Sequence, residues 1–126
     1  MFADSVQITN SALYVTAQWA IPQLLKLAQD KSEASPSLLV TNSLLYKEPL
    51  PALFALSSTK TAQRNMVQSF QMEYEKQGIH VALVTVGGPV SPEAKVLSPK
   101  NIAEKTWGLF SQPKKEWTWD MEMVEE

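Results

Sequence analysis

Cysteine is absent from this sequence of 126 residues, and histidine occurs once, as His80. A chain without cysteine forms no disulfide, no thiolate metal site and no thiol nucleophile, and one histidine cannot build a multi-histidine metal cluster. Glycine is also scarce, with four residues at Gly78, Gly87, Gly88 and Gly108. The first 77 residues therefore contain no glycine-rich loop that could cradle a phosphate.

Excess charge of one sign and long apolar runs are missing as well. The chain has 11 lysine and arginine residues against 13 aspartate and glutamate residues, and the basic ones are scattered. This pattern argues against a nucleic-acid partner. No segment approaches the roughly 20 consecutive apolar residues that span a bilayer, and the first residues lack the pattern of a secretory leader. We expect a cytoplasmic protein with one domain over residues 1–126 and no membrane partner.

Hydrophobic periodicity predicts helices and strands in alternation. The expected helices cover residues 4–29, 52–77 and 98–110, and the expected strands cover residues 38–41, 79–86 and 117–124. Pro22 lies within the first helix, where its ring removes a backbone donor and predicts a bend. Gly78 should end the second helix, and Ser98 should cap the third.

Helices that connect buried strands favour right-handed crossovers and a parallel sheet. We therefore predict an α/β fold with a parallel sheet of about three strands and two long helices. A sheet this small has two edges that need protection. Association of several copies is expected to complete the structure.

Four segments resemble the C-terminal half of short-chain dehydrogenases/reductases. They are LLVTNS at 38–43, FALSSTK at 54–60, GIHVALVTVGGPV at 78–90 and SPKNIAEKTWGLF at 98–110, and the resemblance covers nearly the whole chain. It implies a partial Rossmann-like sheet made of the family's fifth, sixth and seventh strands. The glycine-rich turn that holds the dinucleotide in this family would lie before Met1. The resemblance thus implies a truncated chain, and we expect no cofactor.

The resemblance also assigns the family's catalytic positions. It places Ser43 at the serine position, Lys60 at the lysine position and Leu56 at the tyrosine position. Thr9, or Asn10 after a shift of one residue, takes the place of the family's asparagine. A tyrosine and a lysine four positions apart share a helix face, so the ammonium can lower the phenol pKa and permit proton transfer. Leucine has no proton to give, which argues against hydride transfer.

Several other residues allow both a chemical and a structural interpretation. Tyr46 could replace the missing acid or could pack in its loop, and Lys60 without a tyrosine should be solvated or paired with a carboxylate. His80, at the start of a strand, is expected to be exposed or capped. Trp117 and Trp119 should share one face of the last strand and pack there or stack on a flat ligand. A solvated acidic terminus is expected at Glu122, Glu125 and Glu126.

The leading functional hypothesis is a homo-oligomeric or accessory protein without redox activity. Its copies would meet through the helices over 5–29 and 52–77. A further hypothesis is one half of a nicotinamide-dependent oxidoreductase, completed by another polypeptide that carries the glycine-rich turn.

An enzymatic alternative needs no cofactor. A redox-neutral isomerase, cyclase or lyase of a biosynthetic pathway could act on a small apolar substrate by shape and a few polar contacts. Its pocket would lie at the helix or subunit junction, and its candidate residues are Ser43, Tyr46, Tyr14, Trp19 and Gly87.

Overall fold

The computed structural model describes residues 1–126 and shows the predicted alternation of helices and strands. The helices are α1 (Phe2–Val6), α2 (Ala12–Asp30), α3 (Phe54–Tyr74) and α4 (Pro99–Phe110), and the strands are β1 (Ser37–Ser43), β2 (His80–Val86) and β3 (Asp120–Met123). A π-helical turn over Gln7–Ser11 joins α1 to α2. Short 3₁₀ turns occur at Leu44–Tyr46, Pro51–Leu53, Glu75–Gln77 and Lys114–Glu116.

The three strands form one parallel sheet in the order β1-β2-β3. Leu39 pairs with Ala82 across β1 and β2, and Leu83 pairs with Asp120 across β2 and β3. Every residue of the central strand except Val86 is buried, because both faces of the strand are covered. The predicted α/β fold with a small parallel sheet is confirmed.

Two helical layers cover the two faces of the sheet. The face under α2 and α3 buries Leu13, Ala17, Ile21, Val67, Ile79, Val81 and Leu83, and the face under α4 buries Ala82, Val84, Leu97, Leu109 and Met123. Alternate residues of β2 point to opposite layers, as the period of a strand requires. None of the helices combines the length and the apolar character that crossing a lipid bilayer requires.

The first predicted helix is irregular at a different place from the one expected. α2 remains continuous across Pro22, and the hydrogen-bond pattern changes instead at the π-helical turn. Pro22 and Gln18 both lie on the exposed side of α2, where water can bond the carbonyl that has lost its backbone donor. The predicted ends of the other helices are confirmed: Gly78 adopts a φ of 94°, and the Ser98 hydroxyl accepts a hydrogen bond from the Asn101 N–H.

β1 is longer and less buried than the sequence predicts. The expected strand over 38–41 extends to Ser37–Ser43, and only Asn42 within it is fully buried. The strand lies at the end of the sheet, so its outer edge has no neighbouring strand. An uncharged strand with one free edge is exposed to pairing with further strands.

The last strand is shorter than predicted, since β3 begins at Asp120 and not at residue 117. Trp117 and Trp119 therefore do not share a strand face. The Trp117 ring stacks on the imidazole of His80, while the Trp119 ring lies 4.7 Å from the guanidinium carbon of Arg64. Each ring packs on a charged or polar partner from a different element.

His80 is buried, with a relative exposure of 1%, so of the two expectations, an exposed or a capped residue, the first is wrong. Its Nε2 lies 2.8 Å from the carbonyl oxygen of Thr118, and its ring is 4.9 Å from the Trp117 ring with 7° between the planes. Because a carbonyl only accepts, Nε2 carries the proton. The segment before β3 folds back over the start of β2 and covers the imidazole.

Glu125 is exposed, as expected for the acidic terminus, and its carboxylate is also bound by backbone. Its carboxylate accepts hydrogen bonds from the backbone N–H groups of Lys95 (2.9 Å), Val96 (3.0 Å) and Leu97 (2.8 Å). Successive N–H groups that point to one spot form a nest for an anion. These bonds, led by the one from Leu97, hold the pKa of Glu125 below its usual value. Glu122 is also bound, by the Tyr46 hydroxyl and the Lys47 ammonium.

Replacing Glu125 with glutamine should lower the melting temperature at neutral pH, because charged acceptors form stronger hydrogen bonds than neutral ones. The carboxylate stabilises the folded chain above its unfolded pKa near 4.5, and this contribution is lost as the pH falls through the lower folded pKa. Thermal melts at stepwise lower pH should show the two proteins converging in acid. Glu126→Gln is the matched control, and a melting difference that persists unchanged in acid would contradict the assignment.

Candidate functional site

A polar cluster lies where the end of β1 meets α3. The Asn42 amide donates to the Lys60 carbonyl at 3.0 Å and to Gln63 Oε1 at 3.2 Å, and Asn42 Oδ1 accepts from the Ser43 N–H at 2.7 Å. The Lys60 ammonium donates to the Thr41 carbonyl at 3.3 Å and to Gln63 Oε1 at 3.1 Å. Asn42 and Gln63 are buried, so Asn42 holds the Gln63 amide, and Gln63 in turn binds the ammonium.

Lys60 is half-buried and has no carboxylate partner. Its ammonium bonds only neutral oxygens, and burial lowers the pKa of Lys60 below its usual value. The expected ion pair is not formed, and the ammonium is only partly solvated. The amide of Gln63 and the end of β1 supply oxygens that replace part of the water around the ammonium.

Thr9 and Asn10 both lie in the π-helical turn and both contact α3. The Asn10 amide donates to the Thr59 carbonyl at 2.9 Å, and the Thr9 carbonyl accepts from Gln63 Nε2 at 3.3 Å. Neither residue bonds the Lys60 ammonium directly. Thr9 is linked to Lys60 through Gln63, so the turn belongs to the edge of the polar cluster.

Ser43 lies where β1 passes into the following turn, and Leu56 lies in the first turn of α3. The Ser43 hydroxyl accepts a hydrogen bond from the Leu45 N–H at 3.3 Å and so caps the turn after β1. Leu56 is 40% exposed and sits one helical turn before Lys60. The ammonium therefore has an aliphatic neighbour where a phenol would allow proton transfer.

The described residues do not fit the nicotinamide dinucleotide that the resemblance implies. Two of the three N–H groups of the Lys60 ammonium are used within the chain, and Leu56 carries no proton. The earliest glycine is Gly78, which ends a helix turn. Gly87 is packed tightly, since a Cβ there would lie 2.8 Å from the Met123 carbonyl oxygen and from Leu44. These residues therefore do not provide the groups that would hold a dinucleotide.

The candidate pocket residues of the enzymatic alternative are dispersed. Tyr46 lines a cavity beside α3, and Tyr14 lines another between α2 and α3. Ser43 and Trp19 line neither of these cavities, and Trp19 is 70% exposed. Gly87 is a packing position. The structure does not bring these residues together.

Tyr46 is engaged in a second cluster that sequence reasoning missed. Its hydroxyl donates to Glu122 at 3.2 Å, and the Arg64 guanidinium carbon lies 4.0 Å from its ring centroid. Arg64 forms an ion pair with Asp120, which also accepts from the Thr85 hydroxyl at 2.8 Å. These groups come from four elements and join the loop after β1 to α3 and to β3.

Asn42 and Gln63 are the other residues that the sequence analysis missed, although each left a signal. Asn42 directly follows the segment 38–41 that is predicted as a strand, and Gln63 stands four residues before Val67, on the helix face that meets the core. A polar residue in a core position needs a hydrogen-bond partner when it is buried. The sequence shows that each needs a partner, but it does not show that the two are partners of each other.

The sequence matches no protein-family model and no curated protein. Solved structures do match the fold. A short-chain dehydrogenase from Rhodopseudomonas palustris superposes with a TM-score of 0.78 at 21% identity, covering 99% of this chain and 52% of that chain. A candidate oxidoreductase from Escherichia coli K-12 gives a TM-score of 0.77 at 18% identity, covering 96% of this chain and 53% of that chain.

At these identities the likeness shows the fold alone. This chain has the fold of part of a short-chain dehydrogenase, with three parallel strands between two helical layers. It spans about half the length of both solved structures.

Proposed function

We propose that this chain is a protein without redox activity, built on half of the short-chain dehydrogenase fold, which acts as a homo-oligomer or accessory subunit. The observation that carries the proposal is Leu56, an aliphatic side chain one helical turn before the half-buried Lys60 ammonium. The resemblance in sequence assigns the tyrosine of the family's proton-transfer pair to this position. Without that phenol the lysine has no acid to activate.

The environment of Lys60 supports a structural role for its ammonium. It ties α3 to the end of β1 through Thr41 and Gln63. Charge-assisted hydrogen bonds of this kind are stronger than neutral ones. The same group that would hold a cofactor in a dehydrogenase acts here to join two elements of the fold.

Titration with NADH and NADPH tests the absence of redox activity. The purified chain should show no saturable quenching or enhancement of nicotinamide fluorescence below millimolar concentrations. Leu56→Tyr restores a phenol four residues before Lys60, and we expect this variant to reduce no carbonyl compound, since the binding groups for the dinucleotide are not provided by the described residues. Saturable micromolar binding, or reductase activity in either protein, would refute the proposal.

The outer faces of α2 and α3 support the proposed self-association. On α2, Val15 and Trp19 are 62% and 70% exposed and lie opposite the residues that pack on the sheet. On α3, a row of small or short exposed side chains recurs at helical spacing, namely Ala62, Asn65 and Ser69. Bulky apolar groups beside a flat helix face form a self-complementary surface that a two-fold axis can bury.

The open edge of β1 favours a second candidate function, one half of an oxidoreductase completed by another polypeptide. β1 has seven residues without a charge, whereas the other edge strand, β3, has four residues that include Asp120 and Glu122. Short length and charge protect an edge, so β1 is the edge where a further strand would pair.

Purification from native cells tests this second candidate. A polypeptide with a glycine-rich turn, recovered in a fixed ratio to this chain, is the expected result. A stable homo-oligomer that contains this chain alone would exclude it.

A further inference from the structure

A cavity of about 370 Å³ lies between the loop that follows β1 and the first turns of α3. Most of its wall is apolar, and three hydroxyl groups are added by Ser57, Ser58 and Thr61. Cavities that bind small molecules have volumes of roughly 300–1,000 Å³ and carry a few polar groups on an apolar wall. This cavity is at the lower end of that range, which sets the size of a ligand.

The cavity is separate from the polar cluster around Lys60. Leu56 and Lys60 are four residues apart and share one side of α3, while Ser58 and Thr61 lie on its exposed side. Neither Leu56, Lys60 nor Ser43 lines the cavity. A ligand bound there would not contact the residues that resemble a dehydrogenase site.

The walls are formed by contacts within the chain. The Leu50 N–H donates to the Ser57 hydroxyl at 3.3 Å, and the Leu53 N–H donates to the Leu50 carbonyl at 2.8 Å. Pro49 and Pro51 flank Leu50 and restrict its loop further. The loop is held in place without a ligand. Ligand binding therefore costs little further conformational entropy of the loop.

The lining residues define the chemical class of the ligand. None of them carries a charge, and the one ionisable group, the Tyr46 phenol, donates to Glu122. A charged ligand would lose water without gaining a counter-charge. The Ser57 hydroxyl accepts from Leu50 and keeps its own proton for donation, and the exposed Ser58 hydroxyl also has a proton to give.

We propose that this cavity binds a small neutral, mainly apolar molecule whose carbonyl or ether oxygen accepts a hydrogen bond from Ser57 or Ser58. The site goes beyond the proposed function and does not depend on it. A side chain of a second copy is the competing occupant, since Phe54 and Ser58 border the outer face of α3.

Two fluorescent probes that differ in charge test the class of ligand. N-phenyl-naphthylamine is neutral and of suitable size, and anilinonaphthalene sulfonate adds one negative charge to a similar scaffold. We expect the neutral probe to bind saturably, with one site per chain, and the sulfonate to bind at least roughly tenfold more weakly because its charge is unpaired. Equal affinity of the two probes would overturn the proposal.

Matched variants test whether the neutral probe binds in this cavity. Ser58→Phe fills the cavity and should weaken binding of the neutral probe roughly tenfold, and Phe54→Ala removes part of its wall and should weaken binding several-fold. Ala103→Phe on α4 and Met72→Ala farther along α3 make the same kinds of change at exposed positions outside the cavity and should have no effect. Both tested side chains are exposed, as are their controls, so folding should be retained; circular dichroism checks it. Equal effects of test and control variants would overturn the proposal.

Probe binding at different states of association distinguishes a small-molecule site from a site filled by a side chain of a second copy. The neutral probe should bind with the same affinity whether the chain is monomeric or associated, as shown by light scattering on the same samples. Binding that occurs only when copies are separated would assign the cavity to a side chain of the second copy and would overturn the proposal. The titration with nicotinamide cofactors is independent of this result, so the two proposals can fail separately.

Discussion

Replacing Arg64 with methionine is expected to lower the free energy of unfolding by about 2–4 kcal/mol, because it leaves the carboxylate of Asp120 without its cation in a poorly hydrated site. The side chains of Arg64 and Asp120 are only 20% and 15% exposed. The substitution also removes the contacts of the planar guanidinium with two aromatic rings. The guanidinium carbon lies 4.0 Å from the ring centroid of Tyr46 and 4.7 Å from that of Trp119. The effect is thus larger than that of an exposed ion pair, which contributes about 0–1 kcal/mol.

Urea unfolding of a small set of variants measures this effect and separates its causes. Arg64→Lys keeps the charge but not the plane that stacks on Tyr46 and Trp119, so it should recover only part of the loss. Asp120→Asn combined with Arg64→Met removes the stranded charge and should be less destabilised than the two single losses added together. If Arg64→Met costs no more than a surface substitution, the cluster does not hold the elements together.

Introducing a glutamate at Ala62 is expected to separate copies of the chain, because it places a charge on the flat outer face of α3. Light scattering should give at least twice the chain mass of 14.1 kDa for the natural sequence and a single chain mass for Ala62→Glu at the same concentration. A charge buried in an interface without a partner costs several kcal/mol. This corresponds to a change of more than about a hundredfold in the dissociation constant.

Ala103→Glu provides the matched control, since Ala103 is an exposed alanine on α4, in the opposite helical layer. It should leave the mass unchanged. A monomeric natural chain would contradict the proposed self-association. Separation by Ala103→Glu but not by Ala62→Glu would place the interface on α4, beside the exposed Trp107.

The order of elements and the central strand could be predicted because their signals are local. The run Ile79–Val86 is apolar at nearly every position, and the structure buries it on both faces. The Ser98 cap and the Gly78 helix end each depend on bonds within five residues. Such features are decided by neighbouring residues, so a single sequence is enough to find them.

Features that depend on distant contacts could not be predicted in the same way. The His80 ring is covered by Trp117 and bonded to Thr118, 38 positions away. The residues next to His80 in the sequence do not indicate either contact. Asn42 and Gln63 are 21 positions apart. In the candidate site, the family resemblance assigned Ser43, Leu56 and Lys60 by spacing. The contact of Gln63 with the Lys60 ammonium and with Asn42 became visible only when the strand and the helix were placed together.

The hydrogen bonds of Glu125 also set the order in which the chain can be completed during synthesis. They join positions 28 to 30 residues apart, and at roughly 5–20 residues per second the ribosome needs about two to six seconds to make the intervening segment. Over that interval the backbone donors of residues 95–97 have no carboxylate to bind, and β2 has β1 as its only strand neighbour. The edge of β2 that pairs with β3 is therefore covered last, and nascent chains stalled before Asp120 would leave that edge open to chaperones and proteases.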